Sequence, residues 1–583
     1  MSTNATGPPS ALGIEFGLTL IAVAAAFAWP GLGSKMYARI ERAFEHLTQR
    51  RSSAVLVVGV SALVLRLAIL PFCPIPLPFV PDDFSFLLAA DTFLHGRLAN
   101  PTPAMWIHFE SIHITMQPTY SSMYFPAQGL VLAAGKLLFG HPWFGILITS
   151  AFMCAGICWM LQAWLPARWA LLGGLIAIVH IGLFSYWINT YHAAGTITAF
   201  GGALILGALP RFMKKPLLRY SLPMAAGTVI LGLSRPYECV LLYIPVTVIL
   251  IRSLIVGKNR PTPRALFRLA AAPLLLVVVG AAWLGYYDYR AFGSPTILPY
   301  TISRNTYAMA PYFIWQKPRL GIAYNHPAMQ NYYQTEEMDL YQRLHSAQGF
   351  IPVTLVKPLA AMLFFGGFAF FPLIFMLRRV LFDRRIRFLI VCVAVLMAGM
   401  LIENFLVLHY LASYTAAFYA IGLQAMRHMR IWTLGDRPVG LALVRFTLTV
   451  CLFMACLRLY AGPLHLPIQE WPPTWNISWY GPDHFGTERD RIETALEQTP
   501  GKQLVIVRYS ATHTPFDEWV YNSADIDNSK VVWAREMDAA SNLQLINYYR
   551  DRKVWLVQPD SLPATVSAYP LPAPSTVESH SGE

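Results

Sequence analysis

Residues 53–83 read SAVLVVGVSALVLRLAILPFCPIPLPFVPDD. The run up to Leu70 is apolar over a length that crosses a bilayer as a helix, for which roughly 20 residues suffice. Arg66 interrupts it about two turns before its end. The chain then leaves through Pro71, Pro74, Pro76, Pro78 and Pro81 and stops on two adjacent carboxylates, Asp82 and Asp83. Proline fixes φ and removes a backbone donor, so this exit is a stiff, extended segment. It holds the acidic pair just outside the membrane, at the start of a short amphipathic helix expected over 84–95 and lying on the membrane surface.

The same apolar pattern recurs on both sides of this stretch. Spans are expected at 12–30, 53–73, 143–164, 169–186, 194–210, 218–234, 237–255, 265–286, 354–377, 388–405, 409–426 and 440–458. Of 583 residues, 55% are hydrophobic and only 13% charged, against about 25% in a soluble domain. That composition rules out a disordered regulator or a coiled coil. It specifies a polytopic all-α membrane protein of about 12 spans. The segment 126–140 is short for a span and would invert every basic loop beyond it, so it is read as an interfacial or re-entrant helix.

Charge gives the orientation. Residues 1–459 carry a balance of +20 and residues 460–583 a balance of −7. The positive excess lies in short loops. Clusters around Arg39 and Arg51, Arg211 and Lys215, Lys258 and Arg260, Arg378 and Arg387, and Arg427 and Arg437 all fall on one side of a 12-span count. The positive-inside rule makes that side cytoplasmic; the net charge is no nucleic-acid signal. The other side receives the long loops 74–142 and 287–353 and the tail. The expected division is an extra N-terminal span with a basic loop (1–52), a transmembrane domain (53–458), a small extracytoplasmic α/β domain (459–558) and a flexible tail (559–583). Within the α/β domain, strands are expected at 503–508, 530–535 and 553–558 and a helix at 539–550. The first apolar segment lacks a basic flank before it and is read as a retained span rather than a signal peptide.

The polar residues worth chemistry gather at the extracytoplasmic face. Asp82 and Asp83 suit a helix cap, a general base or a metal ligand. Arg66 is costly in a span unless it snorkels or meets an anion, with Asp82 or Glu238 as alternative partners. Arg235-Pro236-Tyr237-Glu238 forms a short turn at the same face, either a salt-bridged turn or a phosphate contact. Tyr124, and Trp187, Asn189, Tyr191 and His192, are interfacial anchors or site residues; His192 can exchange a proton. In the loop 287–353, Arg304 is a phosphate candidate, and Tyr307, Tyr312 and Trp315 are candidates for stacking on a sugar. The sequence contains no Gly-rich nucleotide loop, no His-Glu-x-x-His motif, no Cys pair at ligand spacing and no Gly-x-Ser-x-Gly elbow. ATP-driven transport, zinc-protease chemistry and flavin or NAD binding therefore have no support.

Taken in order, Arg66, Phe79-Val80-Pro81-Asp82-Asp83-Phe84, the helix through Leu88-Ala89-Ala90-Asp91 to His95-Gly96, and Tyr124-Phe125-Pro126-Ala127-Gln128-Gly129 resemble the GT-C superfamily of membrane glycosyltransferases. The nearer likeness is to its bacterial branch of protein O-mannosyltransferases and aminoarabinose transferases. His409-Tyr410 resembles the entry to a late span in such families. The family's Asp-Glu and Tyr-Pro-Pro-Gly motifs are here Asp-Asp and Tyr-Phe-Pro-Ala-Gln-Gly. The resemblance implies a multi-pass protein of a bacterial inner or plasma membrane, with its active site and C-terminal domain outside the cytoplasm. It implies transfer of a sugar from a polyprenyl-phosphate donor to a lipid, glycan or protein acceptor. Asp82 or Asp83 would act as base, with Asp83 favoured because Asp82 lies nearer a capping position, and Arg66, Arg235 and Arg304 would meet the phosphate. Relatives differ in metal use, so a divalent ion is optional and no cofactor is required. A lipid-linked polysaccharide ligase or polymerase, or a transporter, is the alternative.

Overall fold

A computed structural model describes residues 10–257, 261–461, 463–466 and 485–570. Lys258 and Arg260 of the basic clusters and residues 571–583 of the tail lie outside the described residues. Among those described, seven helices are long and apolar enough to cross a membrane: Ala11–Ala28, Arg51–Ala68, Trp143–Trp164, Gly195–Lys214, Pro236–Val256, Pro263–Phe292 and Val439–Ala461. The chain is a multi-pass membrane protein. The other five expected spans form shorter or broken helices. Ala167–Ala177 passes into a π-turn at Ile178–Gly182, Leu218–Gly232 and Arg387–Leu401 each have 15 residues, and Phe350–Gly366 and Thr415–Arg430 adjoin 3₁₀ segments. A broken helix exposes backbone groups that lipid cannot satisfy, and such segments persist where protein surrounds them.

Trp143–Trp164 and Gly195–Lys214 form the centre, with most of their apolar windows buried, whereas no residue of the apolar window of Pro263–Phe292 is buried. Close approach at the centre depends on small residues. A Cβ on Gly202 would fall 1.8 Å from the carbonyl of Ser413, so the 3₁₀ segment Leu408–Tyr414 can lie against that helix only over a glycine.

Helix Pro81–Leu94 forms where expected, with Pro81 in its first turn, where the missing N–H costs nothing. It does not lie on a membrane surface. Phe84, Phe86, Leu88, Ala89 and Ala90 point around the whole helix and all are buried; a helix apolar on every face must be enclosed. On one side lies Pro126–Phe139, the short helix of the 126–140 segment, so close that a Cβ on Gly129 would meet Ala89 at 2.7 Å. On the other lies the C-terminal domain.

That domain is a four-stranded sheet in the order Val531–Arg535, Lys502–Val507, Arg552–Gln558, Thr565–Ala568, the first three parallel and the last antiparallel. The three expected strands and the helix (Ala539–Tyr548) are present. The strand Thr565–Ala568 falls in the stretch expected to be flexible, because pairing with Arg552–Gln558 gives its backbone partners. The helix Thr487–Gln498 was not foreseen from the pattern. The sheet shares one hydrophobic cluster with Leu88, Phe109, Ile114, Met116 and Tyr120 of the loop 74–142. Polar locks surround it: Arg535 pairs with the buried Glu518, Ser111 donates to Glu518 at 2.8 Å, Tyr120 donates to the Asn522 carbonyl at 2.8 Å, and the Ala524 N–H donates to Asp91 at 2.7 Å. The tail domain is thus a brace for the carboxylate-bearing loop.

Candidate active site

The two carboxylates part company at the start of their helix. Asp83 is 0% exposed. Its Oδ1 accepts the Tyr191 N–H and the His192 Nδ1 proton, both at 2.8 Å, and its Oδ2 accepts the Phe79 N–H at 3.4 Å. Neither carboxylate caps the helix, whose N-cap is Val80 without a side-chain cap; Asp83 instead ties the helix start to the chain before it and to the 190–194 turn. Asp82 points the other way, with 29% of its side chain exposed and its Oδ2 3.2 Å from His113 Nδ1. The Tyr124 hydroxyl donates to Asp82 Oδ1 and also lies 3.1 Å from His113 Nδ1. His113 is completed by the Tyr332 hydroxyl, 3.1 Å from its Nε2. The Asp82 carboxylate can only accept, so the His113 Nδ1 facing it is the donor.

These contacts set the charges. Burial would raise Asp82, but the His113 ring, by charge and hydrogen bond, with the charge of His192 and the Tyr124 hydroxyl, outweighs it and holds the carboxyl well below the usual carboxylate range. Burial would lower His192, and Asp83 beside it, by charge and hydrogen bond, with Asp82 adding, raises it above the ordinary histidine value; Arg235 opposes. Burial, then the charges of Asp82 and Tyr300, push the Tyr124 hydroxyl up, so it stays a donor.

Arg235 supplies the cation. It ends the turn before Pro236–Val256, is 7% exposed, and lies 4.5 Å over the Tyr410 ring. Tyr300, Glu238, Tyr410 and Tyr124 are near enough to act on its charge. Among the described residues its guanidinium has no carboxylate within ion-pair reach and no hydrogen-bond acceptor. The expected salt bridge to Glu238 is not formed, although Glu238 is buried one turn away. Beside it, His409 Nδ1 lies 3.1 Å from the Tyr186 hydroxyl, and the His192 and His409 rings are 6.1 Å apart.

The remaining candidates lie elsewhere. Arg66 is 0% exposed and donates to the carbonyls of Cys73 and Pro74 at 2.8 and 3.3 Å and to Asn189 Oδ1 at 3.0 Å, with Trp143 4.7 Å below. It staples the proline-rich exit to the 185–192 turn and meets neither Asp82 nor Glu238. Arg304 pairs with Glu337, donates to the Ala310 carbonyl and lies over Tyr312. Tyr307 donates to Glu110 at 2.8 Å, and Trp315 is stacked on Phe313. His192 sits at the site through Asp83 rather than alone.

Sequence reasoning missed His113, Tyr300 and Tyr332. No motif marks them, since they arrive from separate loops. Backbone geometry does mark one: His113 has φ of 64° and Ala194, just after His192, φ of 50°. Left-handed residues other than Gly persist where the surroundings over-determine them. His113 is held by Ser85, which donates to its carbonyl at 2.7 Å. Among the described residues, no three His, Cys, Asp or Glu side chains cluster closely enough to hold a metal ion, and Asp82 already serves His113 and Tyr124. The donor set does not fit a protein-held metal, and no step below runs through one.

No protein-family model and no curated protein matches the chain. Solved structures similar to it include ArnT from Cupriavidus metallidurans bound to undecaprenyl phosphate, with a TM-score of 0.47 and 12% identity over 86% of this chain and 92% of that one. Another is the oligosaccharyltransferase AglB from Archaeoglobus fulgidus in complex with an inhibitory peptide and a dolichol-phosphate, with a TM-score of 0.46 and 10% identity over 88% and 69%. At such identities and scores the likeness assigns no reaction to this chain.

Proposed function

We propose that the chain is a GT-C-type membrane glycosyltransferase that moves a sugar from a polyprenyl-phosphate donor to a hydroxyl of a lipid, glycan or protein acceptor. The observation that carries this reading is Arg235, a buried guanidinium without an anion of its own, set among the same tyrosines and histidines as the open edge of Asp82. A buried cation is costly unless an anion or a π-face compensates it, and a lipid phosphate arriving from the bilayer supplies the anion. The donor needs no nucleotide, because lipid phosphate is already a leaving group.

The acceptor oxygen attacks the anomeric carbon as the bond from that carbon to the phosphate oxygen breaks. The electron pair of the broken bond leaves on the phosphate, held by Arg235. The acceptor proton passes to Asp82, which Tyr124 and His113 keep ionised and aimed. A carboxylate with a depressed pKa is a weak base at rest. It suits a transition state of oxocarbenium character, in which it faces developing positive charge and the attacking hydroxyl has become acidic. A single displacement of this kind inverts the anomeric centre. Asp83 positions rather than reacts, through His192 and the Tyr191 backbone. The positive-inside pattern argues for a site outside the cytoplasm. The placement of the polar groups at one end of the bundle favours transfer over transport, which uses sites near the bilayer midplane.

The test is to reconstitute the purified chain in lipid with a panel of polyprenyl-phosphate sugars and acceptors and to record release of the carrier phosphate. Release that requires both Asp82 and Arg235 supports the reading; no release with any donor in the panel, or release indifferent to both residues, overturns it.

A further inference from the structure

The opposite end of the bundle carries a groove. Helices Arg51–Ala68 and Trp143–Trp164 touch where a Cβ on Gly59 would meet Ala155 at 3.3 Å. The groove, of about 820 Å³, runs over that contact between these two helices, Arg211 and the start of Leu218–Gly232. Its wall is apolar, and Leu56 and Phe152 are more than half exposed along it and Val60 48% exposed. Arg51, Arg211 and Arg219 close one end, and among the described residues the lining contains no Asp or Glu. Arg211 is fixed, donating to the Gly207 and Trp159 carbonyls at 2.6 and 2.7 Å and lying 4.2 Å over the Trp159 ring. Arg51 and Arg219 have exposed side chains.

A neighbouring groove at the same end gives the contrast. It too has arginines, Arg168, Arg430 and Arg445, but Arg430 and Arg445 meet Glu41 at 3.1 Å and Arg168 meets Glu45 at 3.4 Å. There the protein neutralises its own cations. In the groove beside Trp159 it does not.

We propose that this groove is a binding site for an anionic phospholipid of the bilayer, its acyl chains along Leu56, Val60 and Phe152 and its headgroup phosphate among Arg51, Arg211 and Arg219. The charge pattern commits it to an anionic headgroup, since a zwitterionic one would bring its own cation to three guanidiniums. The long apolar trough calls for acyl chains rather than free phosphate. The site is separate from Asp82 and Arg235, because Arg51 and Arg66 lie at opposite ends of one helix.

The full chain, purified and stripped of loosely held lipid, is placed in nanodiscs with phosphatidylcholine and phosphatidylglycerol in equal amounts. Retained lipid is then counted by native mass spectrometry after detergent extraction. One phosphatidylglycerol is expected to stay bound in preference to phosphatidylcholine. The R51Q/R219Q variant, which leaves the fixed Arg211 in place, should lose that preference by about tenfold or more. A charge-matched control, R384Q/R385Q, should retain it. Equal retention of the two lipids, loss of preference in the control as well, no change in R51Q/R219Q at an unchanged melting temperature, or displacement of phosphatidylglycerol by an added polyprenyl phosphate would each overturn the proposal. If R51Q/R219Q is misfolded, R51K/R219K is used, which keeps the charge and should keep the preference; its loss there also overturns it.

Discussion

The guanidinium of Arg235 lies 4.5 Å over the ring of Tyr410, and that stack lets a cation stay buried with no carboxylate in ion-pair contact among the described residues. A cation over an aromatic face gains about 0.5–2 kcal/mol, more as water is removed. The gain is too small to cancel the desolvation of a charge, so the arrangement is stable but unsaturated toward an anion. R235Q should raise KM for a polyprenyl-phosphate donor by tenfold or more, an effect of about 1.4 kcal/mol or above, and should weaken product inhibition by the free carrier phosphate. R66Q should act differently: it removes the staple at Cys73, Pro74 and Asn189 and lowers the melting temperature. Steady-state kinetics paired with thermal melts separates the two arginines.

The carboxylates divide in the same way. D82N should cost turnover by about 10²–10⁴ with little change in melting temperature, since Asp82 is partly exposed. D83N leaves a fully buried network of N–H donors facing an amide and should cost about 2–4 kcal/mol of stability. A stable but inactive D83N beside an active D82N would reverse the assignment.

Tyr124 is one of the groups that keep Asp82 ionised. In Y124F the carboxylate loses a donor, so its pKa rises toward the ordinary value near 3.8. The acidic limb of the rate profile should move to higher pH than in the wild type, measured as initial rate against pH with saturating donor. An acid limb that stays in place would show that Tyr124 does not tune Asp82.

The buried His192–Asp83 pair makes a prediction of opposite sign. The folded pKa of His192 lies above its ordinary 6.5, so the stability from its protonated form is complete below about pH 6.5 and is lost as pH rises through the folded value. The depressed Asp82 contributes in the other direction, being lost only under strong acid. The difference in melting temperature between wild type and H192N should therefore be greatest under mildly acidic conditions and shrink as pH rises. A difference that grows with pH would mean that the histidine is neutral in the fold.

The brace can be cut at its buried ion pair. R535M leaves Glu518 enclosed without its partner and removes the donor to the Glu110 carbonyl. Breaking one side of such a pair costs about 3–5 kcal/mol. Limited proteolysis should then release the C-terminal domain while the helical bundle stays intact, and turnover should fall because the loop bearing Asp82 loses its backing.

Several elements could be read along the chain because their causes are local. Apolar length fixes the long helices, Pro81 fixes the start of the helix after it, and short Val-rich apolar runs fix the three parallel strands. The helix expected on a membrane surface is a helix but is enclosed by protein, and only the packing of Phe84 against Tyr521 and of Ala89 against Gly129 shows that its faces are covered. The shorter apolar runs admit broken or tilted helices, but a hydropathy run does not reveal where they break, at Phe368–Met376 and Leu408–Tyr414.

The amino-acid sequence by itself determined a basic, many-helix membrane chain with an acidic pair presented behind a stiff proline exit, because hydrophobic length, loop charge and proline stereochemistry act between near neighbours. Which carboxylate is open, which arginine lacks an anion and which histidine meets Asp82 were decided only by the tertiary structure. Burial and charge pairing act through space, and the residues that settle them, His113, the Tyr191-His192 pair and Tyr410, come from segments far apart in the chain.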